Sequence, residues 1–364
     1  MNQSPQPTTP TGKRANRWLL YGPLAAGGIA FAIYTIIWMV GANIMRDELD
    51  NWIAEQQQNG FLVEHGKISV EGYPFVLRGK LMAPVYGNPE DGWQWQADRL
   101  YVDTLPYNPT RLILMPYGEQ VVRVTANRRE EIWRINASVL KASISETANG
   151  IEIRDLIAAP EGGTSATEFN RVAIGSLLAN TYIRDDEEAG LEQDIGQFAL
   201  AAEDIAFDGE TPERDIRIKL ADASIDASRL PAFMEAIGGR GSYGNWRRQD
   251  GEVLITSARL MIGGSDENLP VSKIALTGNL SVDAGNYPTG DLNASISDHA
   301  GLLTLLVNYD LLSAENARDV DGTLSMISSA MGDEMRVPLE LEDGRARIKT
   351  PLGGVTIARL EPLE

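Results

Sequence analysis

Cysteine is absent from the 364-residue chain. That excludes disulfides, thiolate nucleophiles and cysteine-ligated zinc or iron–sulfur centres together. It leaves the compartment open, because many envelope proteins carry no disulfide. Histidine is nearly absent too, with only His65 and His299. Neither falls in an HExxH or other metal-ligand spacing, and both read as turn or surface residues. Positive charge is scarce: 32 Lys and Arg face 51 Asp and Glu, a formal net charge of −19. Such a surface repels phosphate backbones, and no basic stripe interleaved with aromatics offsets it, so no nucleic-acid partner is expected. The acidic run Asp185-Asp186-Glu187-Glu188 lacks the alternating oxygen ligands and central glycine of an EF-hand. It reads as a solvated loop.

Recognisable catalytic signatures are missing as well. Gly239-Arg240-Gly241-Ser242-Tyr243-Gly244 matches GxGxxG in letters, but it follows an expected helix and leads to Trp246. A dinucleotide-binding turn follows a strand and opens a helix. Ser138 and Lys141 have SxxK spacing, but they lie in a strand pattern, where positions i and i+3 point to opposite faces. With 51 acidic residues, carboxylate pairs arise by chance and discriminate nothing. No catalytic, cofactor-binding or metal-binding residue is assigned, and the expectation is a protein that is not an enzyme and needs no cofactor.

What is present is apolar. Hydrophobic residues make up 43% of the chain, ample for a packed core. Trp18 to Val40 is an uncharged run of 23 residues. As a helix it spans about 34 Å at about 1.5 Å per residue, against a hydrocarbon core of about 30 Å. Trp18 and Tyr21 stand at one end, Tyr34 and Trp38 at the other, as interfacial aromatic belts do. Lys13, Arg14 and Arg17 precede it, and Asp47, Glu48 and Asp50 follow. The positive-inside bias places residues 1–17 in the cytoplasm, as a disordered Pro/Thr/Gln-rich tail, and the bulk of the chain in the periplasm. Val40-Gly41-Ala42 resembles a signal-cleavage site, but the apolar run is far longer than the usual h-region of about 7–15 residues. An uncleaved, single-pass anchor in the inner membrane is expected. Residues 41–59 continue it as an amphipathic helix with Met45, Leu49, Trp52, Ile53 and Gln56 on one face, ended by Asn59-Gly60.

From residue 60 to 364 the period changes to two. Segments 61–70, 75–83, 93–103, 119–125 and 132–145 read as strands, separated by turn formers at 88–92, 106–109 and 116–118. Connections this short favour antiparallel pairing. Gly72-Tyr73-Pro74-Phe75 reads as a structural corner before the next strand. Pro74 has no N–H to donate, Gly72 permits a sharp turn, and Tyr73 and Phe75 share a parity that would turn both into the core. A softer stretch at 160–166 marks a candidate subdomain boundary, and 167–180 reads as a helix through Phe169, Val172, Ala173, Leu177 and Leu178. Strands at 194–207 and 214–226 follow.

A strand–helix unit then recurs. The first has Ser228 as helix cap; the second has Asp298 as cap and a helix over 299–312 that is apolar around most of its circumference. Leu302, Leu303 and Leu306 are its candidate hydrophobic contacts, with either protein or lipid as cover; a further helix is read over 315–330. Hairpins turn at Ala284-Gly285-Asn286 and Asp343-Gly344. The fold class is α+β: an N-terminal transmembrane helix, then a mainly antiparallel, β-rich extracytoplasmic domain with a few short helices packed on the sheet.

The anchor, the Gly72–Phe75 corner and the tail segments "GNLSVDAGNYPTGDLNASISDHAGLL" and "VPLELEDGRARIKTPLGGVTIARLEPL" together resemble an alphaproteobacterial family, domain of unknown function 2125, over about residues 30 to 360. The resemblance implies a membrane-anchored envelope protein and carries over no catalytic residues. Three readings of function follow. One is a scaffold or interaction module that meets membrane lipids through residues 18–40 and binds envelope proteins. The second is a binder of lipid or another hydrophobic ligand in an apolar β-groove. The third is a carboxylate hydrolase, which a deep pocket with converging acids would mark. The first two differ in whether the inner sheet face is filled or left open.

Overall fold

The computed structural model describes residues 17–126, 129–162, 169–184, 195–209, 211, 214–238, 242–263, 271–308, 312–331, 334–350 and 353–363. The apolar run and its amphipathic continuation form one helix, α1 (Arg17–Gln58). Its first half is bare, with side chains such as Leu24, Ile29, Ile33 and Ile36 more than half exposed. The helix is long and apolar enough to cross a membrane. In the second half Ala42, Met45, Leu49 and Ile53 recur at helical spacing, and that stripe packs on the first strands.

Among the described residues, eighteen strands form a single sheet, antiparallel at every pairing. β1 (Leu62–Glu64), β2 (Ile68–Glu71), β3 (Leu77–Met82) and β4 (Val85–Asn88) are short. The longer β5 (Trp93–Leu105) carries β4 along its first part and β3 along its second. In the same way β6 (Asn108–Ala126) carries β7 (Arg129–Asn136) and β8 (Val139–Ile144), and both rejoin on β9 (Ala148–Pro160). A plain meander follows: β10 (Phe169–Arg184), β11 (Ile195–Gly209), β12 (Ile216–Ala227), β13 (Val253–Gly263), β14 (Ser272–Val282) and β15 (Pro288–Ser297). It closes with β16 (Glu334–Glu342), β17 (Arg345–Thr350) and β18 (Gly353–Arg359).

Two helix pairs interrupt the meander. α2 (Leu230–Ile237) and α3 (Tyr243–Arg248) join β12 to β13, and α4 (His299–Asn308) and α5 (Ala314–Met331) join β15 to β16. Because β12 and β15 run in opposite directions, the two pairs lie at opposite ends of the strands. Each closes a small core. Ala232 and Trp246 meet Val282 in one; Leu324 of α5 meets Val337 and Ile348 in the other. A third core lies under α1, around Leu77, Leu81 and Val102.

Several expectations are corrected. The helix read over 167–180 is strand β10, paired on both sides. Its apolar parity changes at Gly175, from Val172 and Ile174 to Leu177 and Ala179, and that slip imitates a helical period. The run 132–145 is two strands, broken at Ala137 and Ser138. Pro116-Tyr117-Gly118 is no turn but a bulge inside β6, where the register slips against Ala97 and Arg99. Ser228 does not cap α2, whose cap position is Arg229. The Ser228 hydroxyl instead joins the end of β12 to Glu252, accepting from its N–H and donating to its carbonyl. Tyr73 and Phe75 do not turn into the core; they are 42% and 80% exposed.

Candidate functional site

The pairing register places one apolar side chain per strand in an unbroken row. From Leu114 on β6 it passes through Ala142, Ile151, Ala179 and Leu200 to Ala223 on β12. From there it passes through Ala258, Leu276 and Ala294 to Val337 on β16. Nine interstrand steps of about 4.8 Å make the row about 43 Å long. A second apolar row runs beside it, from Leu140 and Ile153 to Ile274 and Ile296. Residues of the other parity carry charge and pair with one another: Arg154 with Glu152 at 2.7 Å, Arg259 with Asp222 at 2.9 Å, and Arg217 with Asp208 at 2.7 Å. The sheet therefore has an apolar face and an ion-paired face, as a half-solvated antiparallel sheet should.

A crease crosses the middle of this surface. Asp155 of β9, Gly175 of β10, Asp204 of β11 and Lys219 of β12 stand opposite one another, each between two paired neighbours and itself outside the ladder. Asp155 and Asp204 have φ of 48° and 54°, a left-handed conformation that Asp tolerates better than most residues. A Cβ on Gly175 would stand 2.9 Å from the Asp204 Cβ. Sequence parity changes at each of these positions. On β11, for example, the apolar set passes from Phe198, Leu200 and Ala202 to Ile205 and Phe207. The rows on the far side stay apolar: Leu156, Ile174, Ile205 and Ile218 face one another across four strands. The aligned left-handed residues keep the apolar face continuous while the strands bend.

The helices cover this face at its ends. Among the described residues no helix packs on β8 to β12 along their length. Ile151 is 47% and Leu200 38% exposed. Where the row meets α1 it opens into an apolar cavity of about 420 Å³. Trp52 of α1, Tyr86, Trp95 and Leu100 wall one side, and Leu114, Leu140 and Ile151 of the two rows wall the other, with His65 at the rim. The volume lies within the range of small-molecule pockets. Phe61 stacks on Tyr86 with centroids 5.4 Å apart, and the Tyr86 hydroxyl reaches Gln56 of α1 at 3.1 Å. The aromatic wall is thereby tied to the helix.

The residues singled out in the sequence fall elsewhere. Gly72, Tyr73, Pro74 and Phe75 lie between β2 and β3 and rest on the apolar first half of α1. The Tyr73 hydroxyl is 2.7 Å from Thr35 Oγ1, Trp38 Nε1 donates to Val76 O at 3.1 Å, and the Tyr34 hydroxyl donates to Pro74 O. Leu303 is buried and lines a cleft between α4 and α5, while Leu302 and Leu306 are half-buried. His299 is not a surface residue: its side chain is 13% exposed, with Nε2 3.1 Å from an Asp321 carboxylate oxygen, so it ties α4 to α5. His65 is exposed at a turn. Ser138 donates to Asp155 at 2.6 Å on the rim of the crease, far from any nucleophilic arrangement with Lys141, which pairs with Glu152 at 3.6 Å. Residues 185–188 and 239–241 lie outside the described residues. Among the described residues no three His, Asp or Glu side chains are grouped to hold a metal ion.

Sequence reasoning missed Trp52, Tyr86, Trp95 and Leu100 as one wall, because their convergence depends on β4 and β3 sharing β5. It also missed the crease, although a signal was available: apolar alternation that slips by one residue at Asp155, Gly175 and Asp204.

No curated protein and no solved structure matches the chain. A family model does match, over residues 38–359, and its description is an uncharacterized protein conserved in bacteria. With nearly the whole chain covered, the protein belongs to that bacterial family, domain of unknown function 2125.

Proposed function

We propose that the protein is a non-catalytic, membrane-tethered binder of lipid acyl chains. In this reading α1 crosses the inner membrane with residues 1–17 in the cytoplasm, and the sheet stands in the periplasm. The observation that carries it is the unbroken apolar row, about 43 Å long at about 4.8 Å per strand, with no helix among the described residues packed on β8 to β12 along their length. The exposed part of that strip, around Ile151 and Leu200, costs free energy in water at roughly 25 cal/mol per Å², and a bound acyl chain removes that cost. A scaffold has no use for a dry groove and would bury these side chains against its own helices. The cavity at the α1 end supports the same reading, since it joins the groove to the element that enters the bilayer.

The experiment is site-specific photocrosslinking of the full chain in membranes. A photoreactive amino acid at Leu200, deep in the groove and far along the sheet from α1, is expected to capture phospholipid. One at Ile33 reports ordinary contact of the anchor with lipid. Capture at Ile33 without capture at Leu200 would refute the groove reading.

A further inference from the structure

We propose that the Tyr73–Phe75 corner is immersed in the outer boundary of the bilayer and fixes the sheet at the lipid surface. The proposal rests on the anchor half of the preceding reading, that α1 spans the membrane, and not on the groove.

The first argument is length. The corner touches α1 over residues 31–38: Phe31 and Trp38 pack edge-on against Tyr73 with centroids 6.3 and 5.3 Å away, and Tyr34 and Thr35 bond to it. Before Phe31 the uncharged run holds only Trp18 to Ala30. Those residues make about 20 Å of helix at about 1.5 Å each, well short of a hydrocarbon core of about 30 Å. The turns that hold the corner must therefore lie inside the apolar layer or at its edge, and the corner lies there with them.

The second argument is independent of length. Backbone polar groups cannot be left open in hydrocarbon, and here the N–H groups of Phe75 and Val76 and the carbonyls of Gly72, Pro74 and Val76 are all bonded. Pro74 has no N–H. The N–H groups of Phe75 and Val76 both donate to Gly72 O. The carbonyls of Pro74 and Val76 accept from Tyr34 and Trp38, and the Tyr73 hydroxyl meets Thr35. What the corner presents outward is Phe75, 80% exposed. A large apolar ring held outward on a turn with these polar groups bonded suits lipid and not water. Charge returns immediately on the sheet side, with Glu71 and the Arg78–Asp103 pair, at the level expected of headgroups.

The absence of cysteine makes the test direct. Single-cysteine variants Phe75→Cys, Ile33→Cys and Glu90→Cys of the full chain carry a nitroxide label in vesicles of mixed bacterial phospholipid. Glu90, exposed at the β4–β5 turn at the end of β5 away from the corner, serves as the water reference. Collisions with oxygen are expected to exceed those with a nickel chelate at positions 75 and 33, with position 75 shallower, and the reverse at 90. A label at 75 as open to the nickel chelate as the one at 90, with Ile33 still in lipid, would overturn the proposal and leave the anchor standing. Water access at Ile33 as well would remove both.

Discussion

At the scale of single residues, two positions hold the membrane-proximal strands. Arg78 and Asp103 face each other across β3 and β5, with Nε and Nη2 donating to the two carboxylate oxygens at 2.7 and 2.6 Å. Asp103 is buried, and its hydrogen bonds raise the Arg78 pKa further above the ordinary arginine value. Arg78→Ala would leave that carboxylate unpaired. The expected loss is about 3 kcal/mol, the low end of the usual range of about 3–5 because Arg78 is partly open to water; urea unfolding of the detergent-solubilised protein measures it. Gly72 is the second position. It has φ of +99°, and a Cβ there would stand 2.7 Å from Val76 O. Gly72→Ala is expected to lower the melting temperature, with a cost of roughly 1–3 kcal/mol. Lys349 gives a pH signature. The hydrogen bonds it donates to Asp291 and Glu340 raise its pKa above the ordinary lysine value of 10.5. Its contribution to stability is thus complete below 10.5 and fades as pH rises through the higher folded value. The gap in melting temperature between the natural protein and Lys349→Met should be constant from neutral pH to about 10 and close above that.

At the scale of elements, the crease is the feature most open to test. Gly175→Val places methyl groups where the Asp204 Cβ and the Glu203 carbonyl already crowd the site. It is expected to cost about 1–3 kcal/mol as an overpacking change, with circular dichroism showing the strands retained. The crease also explains what the sequence concealed. Strands with unbroken alternation, such as β14 and β15, and hairpins with a strong turn, such as Asp343-Gly344, were legible because period and turn chemistry agree. β10 was not, because its alternation slips once in the middle and a slipped period of two resembles a helix. The groove was legible only as an alternative, since row formation is set by register across many strands and not within any one of them. The corner was legible as a bend from Gly72 and Pro74. Its outward face was not, because parity within one strand does not say which neighbour stands on either side.

At the scale of the whole molecule, orientation is the first expectation. A periplasm-active reporter fused after Glu364 should be active, and an inactive fusion would reverse the assignment made from Lys13, Arg14 and Arg17. A second consequence follows from α1 itself. Its 42 residues form one uninterrupted helix, about 63 Å long at about 1.5 Å per residue, with Pro23 near its start as the single proline. Between the apolar half of α1 and the sheet there is accordingly no hinge. Residues 42–53 are embedded in the core around Leu77, Leu81 and Val102, and residues 31–38 are bolted to the corner. Such a helix is a mast and not a leash. A membrane span answers changes in bilayer thickness by tilting or shifting, and here the sheet must lean or sink with it. In the topology proposed above, the mouth of the groove would keep a set height above the lipid in one membrane, and a different height in a thicker or thinner one.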